Sequence, residues 1–235
     1  NQIIFITGAT SGFGEAAARL LSANGAKLII TGRRLEKLEK LKNELGANKV
    51  HAAKLDVTSN NEVVDVIKNL PSEFSNINAL INNAGGAIGL EPAYQCNLED
   101  WDRMIDTNIK GLTYCTRAIL PDMVKRNNGY IINIGSIAGN YAYPNSNVYG
   151  ACKAFVHHFS LNLRSDLAGT KVRVTSIAPG IAELLPKAVM GKVLRGDMIN
   201  GDIIFRRSDL AAGKFNGLRA LPPGAEQNGA GAEFI

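Results

Sequence analysis

The strongest constraint on the fold is a regular alternation of two sequence patterns over residues 3–180. Six short runs rich in apolar and β-branched residues are separated by longer segments with apolar residues at helical spacing. Near-continuously apolar strands are typical of parallel sheets that are covered on both faces. With right-handed crossovers, the alternation predicts an α/β fold, a doubly wound parallel sheet with helices on both faces. The predicted strands are residues 3–7, 26–31, 50–54, 79–82, 129–134 and 171–177, and the long helices after residue 60 are residues 62–70, 98–125 and 148–167.

The composition is that of one globular domain. The chain has 235 residues, of which 46% are hydrophobic and 20% charged, so disorder is excluded as its main state. No apolar run approaches the roughly 18 residues that a membrane span needs. The three cysteines form no C-x-x-C pair and the histidines lack metal-ligand spacing, which favours reduced thiols in a cytoplasmic protein without a metal site. The net charge of +5 comes from scattered lysines and arginines, so we expect no nucleic-acid partner.

Three glycines follow the first predicted strand, in the stretch TGATSGFG at residues 7–14. Glycine lets the backbone approach a pyrophosphate closely, and the free N–H groups of the following helix attract phosphates. The position between the first strand and the first helix indicates a dinucleotide site in a Rossmann-like domain. A tight turn without a ligand is the alternative interpretation. The residues that we expect to bind the cofactor here are Gly8, Thr10, Ser11, Gly12, Phe13 and Gly14.

Two arginines, Arg33 and Arg34, follow the second predicted strand. In dinucleotide sites an acidic residue at this point holds the ribose 2′-hydroxyl, whereas an arginine fork suits a 2′-phosphate. Arginine at a helix start also opposes the helix dipole, and a bound anion would relieve this unfavourable arrangement. The pair therefore predicts NADP(H) as the cofactor rather than NAD(H), with an exposed basic turn as the alternative.

Weaker signals follow the third and fourth predicted strands. Asp56 is placed to accept a hydrogen bond from the adenine amino group, with Val57 offering its main chain, although a helix cap explains Asp56 equally well. In the NNAG stretch, the small residues around Asn83, Ala84 and Gly85 let the backbone lie along a ribose, with a simple turn as the alternative. Ligands of doubly wound sheets bind beyond the carboxyl ends of the strands, which is where all these residues fall.

Tyr149 and Lys153 are four residues apart and share one face of a predicted helix. A free tyrosine has a pKa near 10 and is a poor acid–base group at neutral pH. A neighbouring ammonium favours phenolate, so we expect Lys153 to lower the pKa of Tyr149. Ser136 lies just past a predicted strand, where its hydroxyl can orient a substrate alcohol or carbonyl against the tyrosine.

The ordered set of motifs resembles the classical branch of the short-chain dehydrogenase/reductase family over residues 3–180. The matching pieces are TGATSGFG, the arginine pair, LDV, NNAG, the asparagine of DTNIKG, IGS, YGACK and APG. Longer stretches, among them NVYGACKAFVHHFSLNLRSDL, look like those of NADP-dependent 3-hydroxy acid (serine/allo-threonine) dehydrogenases. The resemblance implies hydride transfer between NADP(H) and a small serine-like 3-hydroxy acid or its carbonyl form, without a metal, by a homotetramer.

The resemblance also implies roles for single residues. Tyr149 would be the general acid–base, and Lys153 would lower its pKa and bind the nicotinamide ribose. Ser136 would position the substrate oxygen. Asn108, in the DTN stretch, would hold a water that joins Lys153 to bulk solvent.

The sequence departs from the family pattern after Gly180. Pro179 and Gly180 would border the nicotinamide, but the threonine that usually follows in the family is replaced by Ile181. Residues 181–235 show little strand pattern, and the last strand that the family has near its C-terminus is not evident. We expect residues 1–180 to form the dinucleotide-binding and catalytic core. Residues 181–235 would form a substrate lid and C-terminal tail of the same domain.

Two other functions compete with the 3-hydroxy acid hypothesis. One is a carbonyl reductase or alcohol dehydrogenase for a larger alcohol, sugar or lipid ketone, which an apolar pocket around Tyr149 would favour, whereas cationic groups would favour a carboxylate. The other is a catalytically silent dinucleotide sensor, which would have no use for an intact set of Ser136, Tyr149 and Lys153. Substrate-facing candidates are residues 86–89 and 137–143.

Overall fold

A computed structural model of the chain describes residues 2–180 and the backbone of residues 201–204. Seven strands form one sheet in the order β3-β2-β1-β4-β5-β6-β7, and every neighbouring pair is parallel. The strand order reverses between β1 and β4, so the predicted doubly wound sheet is confirmed. The strands are β1 (Ile3–Ile6), β2 (Lys27–Gly32), β3 (Val50–Lys54), β4 (Ala79–Asn82), β5 (Gly129–Ile134), β6 (Val172–Ala178) and β7 (Gly201–Ile204).

Helices cover both faces of the sheet, and alternate residues of each strand face opposite layers. In β1, Ile4 and Ile6 belong to the hydrophobic cluster that α1 and α2 cover, whereas Phe5 belongs to the cluster under α3, α5 and α6. Both strand faces are therefore buried, which explains the near-continuous apolar sequence. The helices are α1 (Gly12–Ala23), α2 (Leu35–Leu45), α3 (Asn60–Lys68), α4 (Leu98–Ile105), α5 (Leu112–Lys125) and α6 (Asn147–Asp166).

The structure corrects two sequence-based expectations. Residues 201–204 form β7, which pairs in parallel with β6. The sequence beyond residue 180 shows little strand pattern and did not predict this strand. The four residues GDII are too short and too mixed to predict a strand by themselves, since sheet pairing decides their conformation. The predicted helix over residues 98–125 is divided by a π-helical turn, Asp106–Gly111, which follows α4 and precedes α5. Such turns frequently occur at functional sites.

A buried polar network connects the sheet to α5 and α6. The Asn82 amide donates to the Thr116 hydroxyl and to Asn133 Oδ1, both at 2.9 Å. The Asn133 amide in turn donates to the Ser160 hydroxyl at 2.9 Å, and that hydroxyl donates to the Val156 carbonyl. Because buried amides and hydroxyls are costly to leave unpaired, this network fixes α6 against the carboxyl ends of β4 and β5.

None of the helices within residues 2–180 combines the length and apolar character that crossing a bilayer requires. Apart from 201–204, the predicted lid and tail at residues 181–235 lie outside the described residues. The boundary expected at residue 180 between core and lid stays a prediction.

Candidate active site

A cavity of about 770 Å³ opens at the carboxyl ends of β1, β2, β4 and β5, where the strand order reverses. This position is the expected ligand crevice of a doubly wound sheet. Every predicted catalytic or cofactor-binding residue lines the cavity except Gly14. The lining residues from that set are Gly8, Thr10, Ser11, Gly12, Phe13, Arg33, Arg34, Asp56, Val57, Asn83, Ala84, Gly85, Asn108, Ser136, Tyr149, Lys153, Pro179 and Gly180.

The glycine turn after β1 needs glycine for two different reasons. Gly8 and Gly12 have φ angles of 68° and 57°, in the left-handed region that side chains disfavour. A Cβ on Gly14 would collide with the Gly8 carbonyl and the Asn83 amide. Gly14 therefore lets α1 begin tightly against the turn, behind the cavity. Gly14 does not line the cavity, and the cofactor contact expected for it stays a prediction.

The turns after β1 and β4 form one hydrogen-bonded unit. The Thr7 hydroxyl accepts from the backbone N–H groups of Asn83 and Ala84, each at 2.9 Å. The Asn83 amide donates back to the carbonyls of Thr7 and Gly8 at 2.9 and 3.0 Å. The Asn83 side chain thus holds the two turns together, and Ala84 and Gly85 present their backbone to the cavity.

Arg34 folds back onto the glycine turn. Its Nη2 donates to the Thr10 hydroxyl at 2.7 Å and to the Ser11 hydroxyl at 3.3 Å. These hydroxyls accept hydrogen bonds from the guanidinium but do not neutralise its positive charge. The adjacent N-terminus of α1 adds a positive partial charge. A guanidinium, two hydroxyls and a helix N-terminus together fit a phosphate group.

Asp56 shapes the turn that it belongs to. Its Oδ1 accepts from the backbone N–H and the hydroxyl of Thr58, at 3.0 and 2.8 Å. The cap of α3 is Ser59, whose hydroxyl accepts from the Glu62 backbone N–H. The alternative interpretation of Asp56 as the helix cap is therefore wrong. Asp56 holds a local turn while it lines the cavity.

Ser136, Tyr149 and Lys153 meet at the other end of the cavity. The Ser136 side chain is close enough to the Tyr149 phenol to lower its pKa, and both side chains line the cavity. Lys153 is 6% exposed, and its Nζ donates to the Ile134 carbonyl at 2.9 Å. The same Nζ lies 5.7 Å from the centroid of the Tyr149 ring. The helical spacing of four residues thus places a phenol and an ammonium together, as the sequence predicted.

The electrostatics of this pair differ from the expectation. Burial raises the pKa of Tyr149, and the hydrogen bond with Ser136 offsets only part of that rise. Burial also lowers the pKa of Lys153 to about 8. The expected lowering of the Tyr149 pKa by Lys153 is not found, because the ammonium is directed to the Ile134 carbonyl and desolvation dominates. The phenol is accordingly protonated at neutral pH.

The π-helical turn places Asn108 at the centre of the site. Its Oδ1 accepts from the Gly86 backbone N–H at 3.2 Å, and its Nδ2 donates to the carbonyls of Gly86 and Met104 at 3.0 and 2.9 Å. A Cβ on Gly85 would collide with this amide. The Asn108 side chain is therefore committed to holding the segment after the NNAG stretch. The water-holding role stays a prediction.

The ends of β5 and β6 bring the remaining predicted residues beside Ser136. The Gly135 N–H donates to the Ile177 carbonyl at 2.7 Å, and the Ile137 N–H donates to the Pro179 carbonyl at 3.1 Å. Pro179 and Gly180 consequently border the cavity at its catalytic end.

Comparison with known proteins identifies the family. The family model for short chain dehydrogenases matches residues 2–187. The chain belongs to the short-chain dehydrogenase family. An NADP-dependent 3-hydroxy acid dehydrogenase of an Escherichia coli strain is 57% identical over 180 residues, which cover 77% of this chain and 72% of that protein.

Two further short-chain dehydrogenase matches have similar coverage. A protein named sulfoacetaldehyde reductase 2, from Chromohalobacter salexigens, is 52% identical over 185 residues, 78% of this chain and 73% of that one. The solved closed form of a serine dehydrogenase complexed with NADP⁺ is 56% identical and has a TM-score of 0.75, with 76% of this chain and 72% of that chain covered.

The sequence did not predict all of the residues that line the cavity of this short-chain dehydrogenase. Arg103 and Thr107 reach the cavity from α4 and the π-helical turn, and only the spacing of four residues between them indicated a shared face. Gly86 and Ile88 line the cavity, as expected for residues 86–89, whereas residues 137–143 do not. Within the described residues, no group of three His, Cys, Asp or Glu side chains is placed to hold a metal.

The lowered pKa of Lys153 predicts a distinctive pH dependence of stability. Between pH 8 and the ordinary lysine pKa of about 10.5, the unfolded chain binds a proton that the folded chain has released. The wild type should therefore gain stability relative to Lys153→Met as the pH rises through this window, by at most about 1.4 kcal/mol per pH unit. Urea unfolding of both proteins at pH 7, 8, 9 and 10 measures the difference. Lys125→Met, at an exposed position of α5, should show no such trend, and a constant difference for Lys153→Met would contradict the burial argument.

Proposed function

We propose that this chain is an NADP(H)-dependent oxidoreductase that acts on the CH–OH group of a small, serine-like 3-hydroxy acid or on its carbonyl form. The observation that carries the proposal is the grouping of Ser136, Tyr149 and the buried Lys153 in one cavity with the glycine turn. The match to an NADP-dependent 3-hydroxy acid dehydrogenase and to a serine dehydrogenase complexed with NADP⁺ supports the substrate class. A nicotinamide cofactor, when bound, donates or accepts the hydride.

Arg34, Thr10 and Ser11 would hold the 2′-phosphate that distinguishes NADP(H) from NAD(H). Arg33 lines the same part of the cavity and adds positive charge. The backbone at Gly12 and the N-terminus of α1 would face the pyrophosphate, because no side chain blocks their N–H groups there.

Three pairs of residues would contact the adenine, a ribose and the nicotinamide of the cofactor. Asp56 and Val57 line the cavity and would contact the adenine. The backbone of Ala84 and Gly85 would lie along a ribose, and Pro179 with Gly180 would border the nicotinamide. These residues leave Ser136 and Tyr149 facing the same space, where a substrate oxygen can reach both side chains.

Tyr149 would act as the general acid–base. Because burial keeps its pKa raised, the phenol is protonated at neutral pH and is ready to donate to a carbonyl oxygen during reduction. In the oxidation direction the phenol must first lose that proton, which its raised pKa disfavours at neutral pH. Ser136 would orient the substrate oxygen toward the phenol. Acid–base assistance of this kind typically contributes about 10²–10⁴-fold in rate.

Arg103 lines the cavity outside the proposed cofactor contacts, and its positive charge favours an anionic substrate over a large apolar one. The match to a sulfoacetaldehyde reductase makes reduction of a small sulfonated aldehyde a second candidate function. The intact Ser136 and Tyr149 argue against a silent sensor. We further propose that the protein works in the cytoplasm as a homotetramer.

Tyr149→Phe should retain NADPH binding and lose turnover by about 10³-fold, since only the ionisable hydroxyl is removed. The assay is NADP⁺ reduction across 3-hydroxy acids, amino-alcohol acids and simple secondary alcohols, with NADPH fluorescence for binding. Tyr94→Phe is the matched control, because this tyrosine is 85% exposed. Turnover of Tyr149→Phe within about tenfold of wild type would exclude the acid–base role. A preference for secondary alcohols without a carboxylate would exclude the substrate class.

Arg34→Met should weaken NADPH binding by about tenfold or more and leave NADH binding within about twofold, because the lost guanidinium faces the extra phosphate. Equilibrium titrations with each nucleotide measure both constants. Arg117→Met, at an exposed position on α5, should change neither. Equal weakening of NADPH and NADH binding would show that Arg34 does not distinguish the two cofactors.

A further inference from the structure

Residues 86–91, here named the wall segment, follow the NNAG stretch and border the cavity. Gly86 and Ile88 line the same cavity as Tyr149. The sequence GAIGLE has no hydrogen-bonding side chain before Glu91, so the side chains of the segment cannot fix its own position. Apart from the hydrogen bond from the Glu91 N–H to the Gly89 carbonyl at 2.9 Å, the side chains that hold the segment belong to other parts of the protein.

Two asparagine side chains hold the wall segment at its two ends. At the first end, Asn108 makes two hydrogen bonds with the Gly86 backbone, at 3.2 and 3.0 Å. At the second end, the Asn147 amide donates to the Glu91 carbonyl at 2.8 Å. The Cys96 thiol supports the second end, since its Sγ lies 3.2 Å from the Glu91 carbonyl oxygen and 3.5 Å from Asn147 Nδ2.

Ordering the segment between these anchors costs conformational entropy. Gly86 and Gly89 lose more backbone entropy on ordering than other residues. Gly89 has a φ of 55°, and a Cβ there would lie 2.7 Å from the Asp100 carboxylate, so the chain needs glycine at this bend. A glycine-rich segment with few contacts of its own depends on its anchors for a single position.

Asn147 is the first residue of α6 and lies two residues before Tyr149. The hydrogen bond to Glu91 therefore links the wall segment directly to the helix that carries the proposed acid–base. We infer that Asn147 is a positioning residue, which holds the wall segment at a fixed distance from Tyr149 and thereby sets the affinity for the substrate. The inference rests on the proposed function. The wall presents Ile88 and main chain to the non-reacting part of the substrate.

Asn147→Asp is the sharpest test because it keeps the size of the side chain and removes the amide donor. A carboxylate in the first turn of α6 also interacts favourably with the helix dipole, so the substitution should not destabilise the helix. The KM for the 3-hydroxy acid should rise about five- to tenfold, with kcat and the NADPH dissociation constant within about twofold of wild type. Asn128→Asp adds the same charge at an exposed position just before β5, at the opposite edge of the sheet, and should change none of these values.

Neutral variants distinguish the effect on KM of losing the hydrogen bond from the effect of adding a charge. Asn147→Ala should raise KM as Asn147→Asp does. Cys96→Ser keeps a donor for the Glu91 carbonyl and should behave as wild type, whereas Cys96→Ala should raise KM by about two- to threefold.

A second readout needs no turnover. Cys115 and Cys152 are buried and Cys96 is partly exposed, so a thiol reagent should label Cys96 first. Release of the anchor in Asn147→Asp should increase the rate of Cys96 labelling severalfold, even if the substrate class proposed above is wrong. A KM within twofold of wild type together with unchanged labelling would overturn the inference. A fall in kcat at unchanged KM would overturn it too, since Asn147 would then act through Tyr149 rather than through the wall segment.

Discussion

The burial of a phenol and an ammonium on one face of α6 is the constraint on which the site depends. Desolvation disfavours both charged forms, since it raises the pKa of Tyr149 and lowers that of Lys153 to about 8. Lys153 is 6% exposed and its ammonium donates to the Ile134 carbonyl, whereas Tyr149 is partly buried at the cavity beside Ser136. The phenol is therefore protonated at neutral pH, because the ammonium does not offset the effect of burial on the Tyr149 pKa.

The rest of the architecture serves to keep that face of α6 in place. The buried Asn82–Asn133–Ser160 network ties the helix to the ends of β4 and β5. The hydrogen bonds between Thr7 and Asn83 join the turns after β1 and β4. Because Asn82 and Asn83 are adjacent, these hydrogen bonds connect the turns on the nucleotide side of the cavity to the helix that carries Tyr149. Such pre-organisation lets a bound substrate meet positioned groups without a large reorganisation of the protein.

Much of this arrangement was predictable because it follows from local sequence. Apolar runs predicted six of the seven strands, and the four-residue spacing predicted that Tyr149 and Lys153 share a face. What the sequence could not predict depends on tertiary contacts. The β7 strand forms because it pairs with β6. The π-helical turn contains Asn108, whose side chain is hydrogen-bonded to the Gly86 backbone. The direction of the Tyr149 pKa shift was wrong because spacing reveals a neighbouring charge but not how deeply both groups are buried. A motif also cannot show that a Cβ on Gly14 would collide with the Gly8 carbonyl and the Asn83 amide, because that packing depends on the tertiary structure.

The pH dependence of kcat/KM for oxidation of a 3-hydroxy acid, at saturating NADP⁺, tests the role of the buried phenol most directly. Oxidation needs Tyr149 as a base, and its raised pKa leaves little phenolate at neutral pH. The account predicts that kcat/KM rises steadily from pH 6 toward pH 9, at up to about tenfold per pH unit. A profile that stays flat over this range would contradict it, because the proton acceptor would then be a group other than Tyr149.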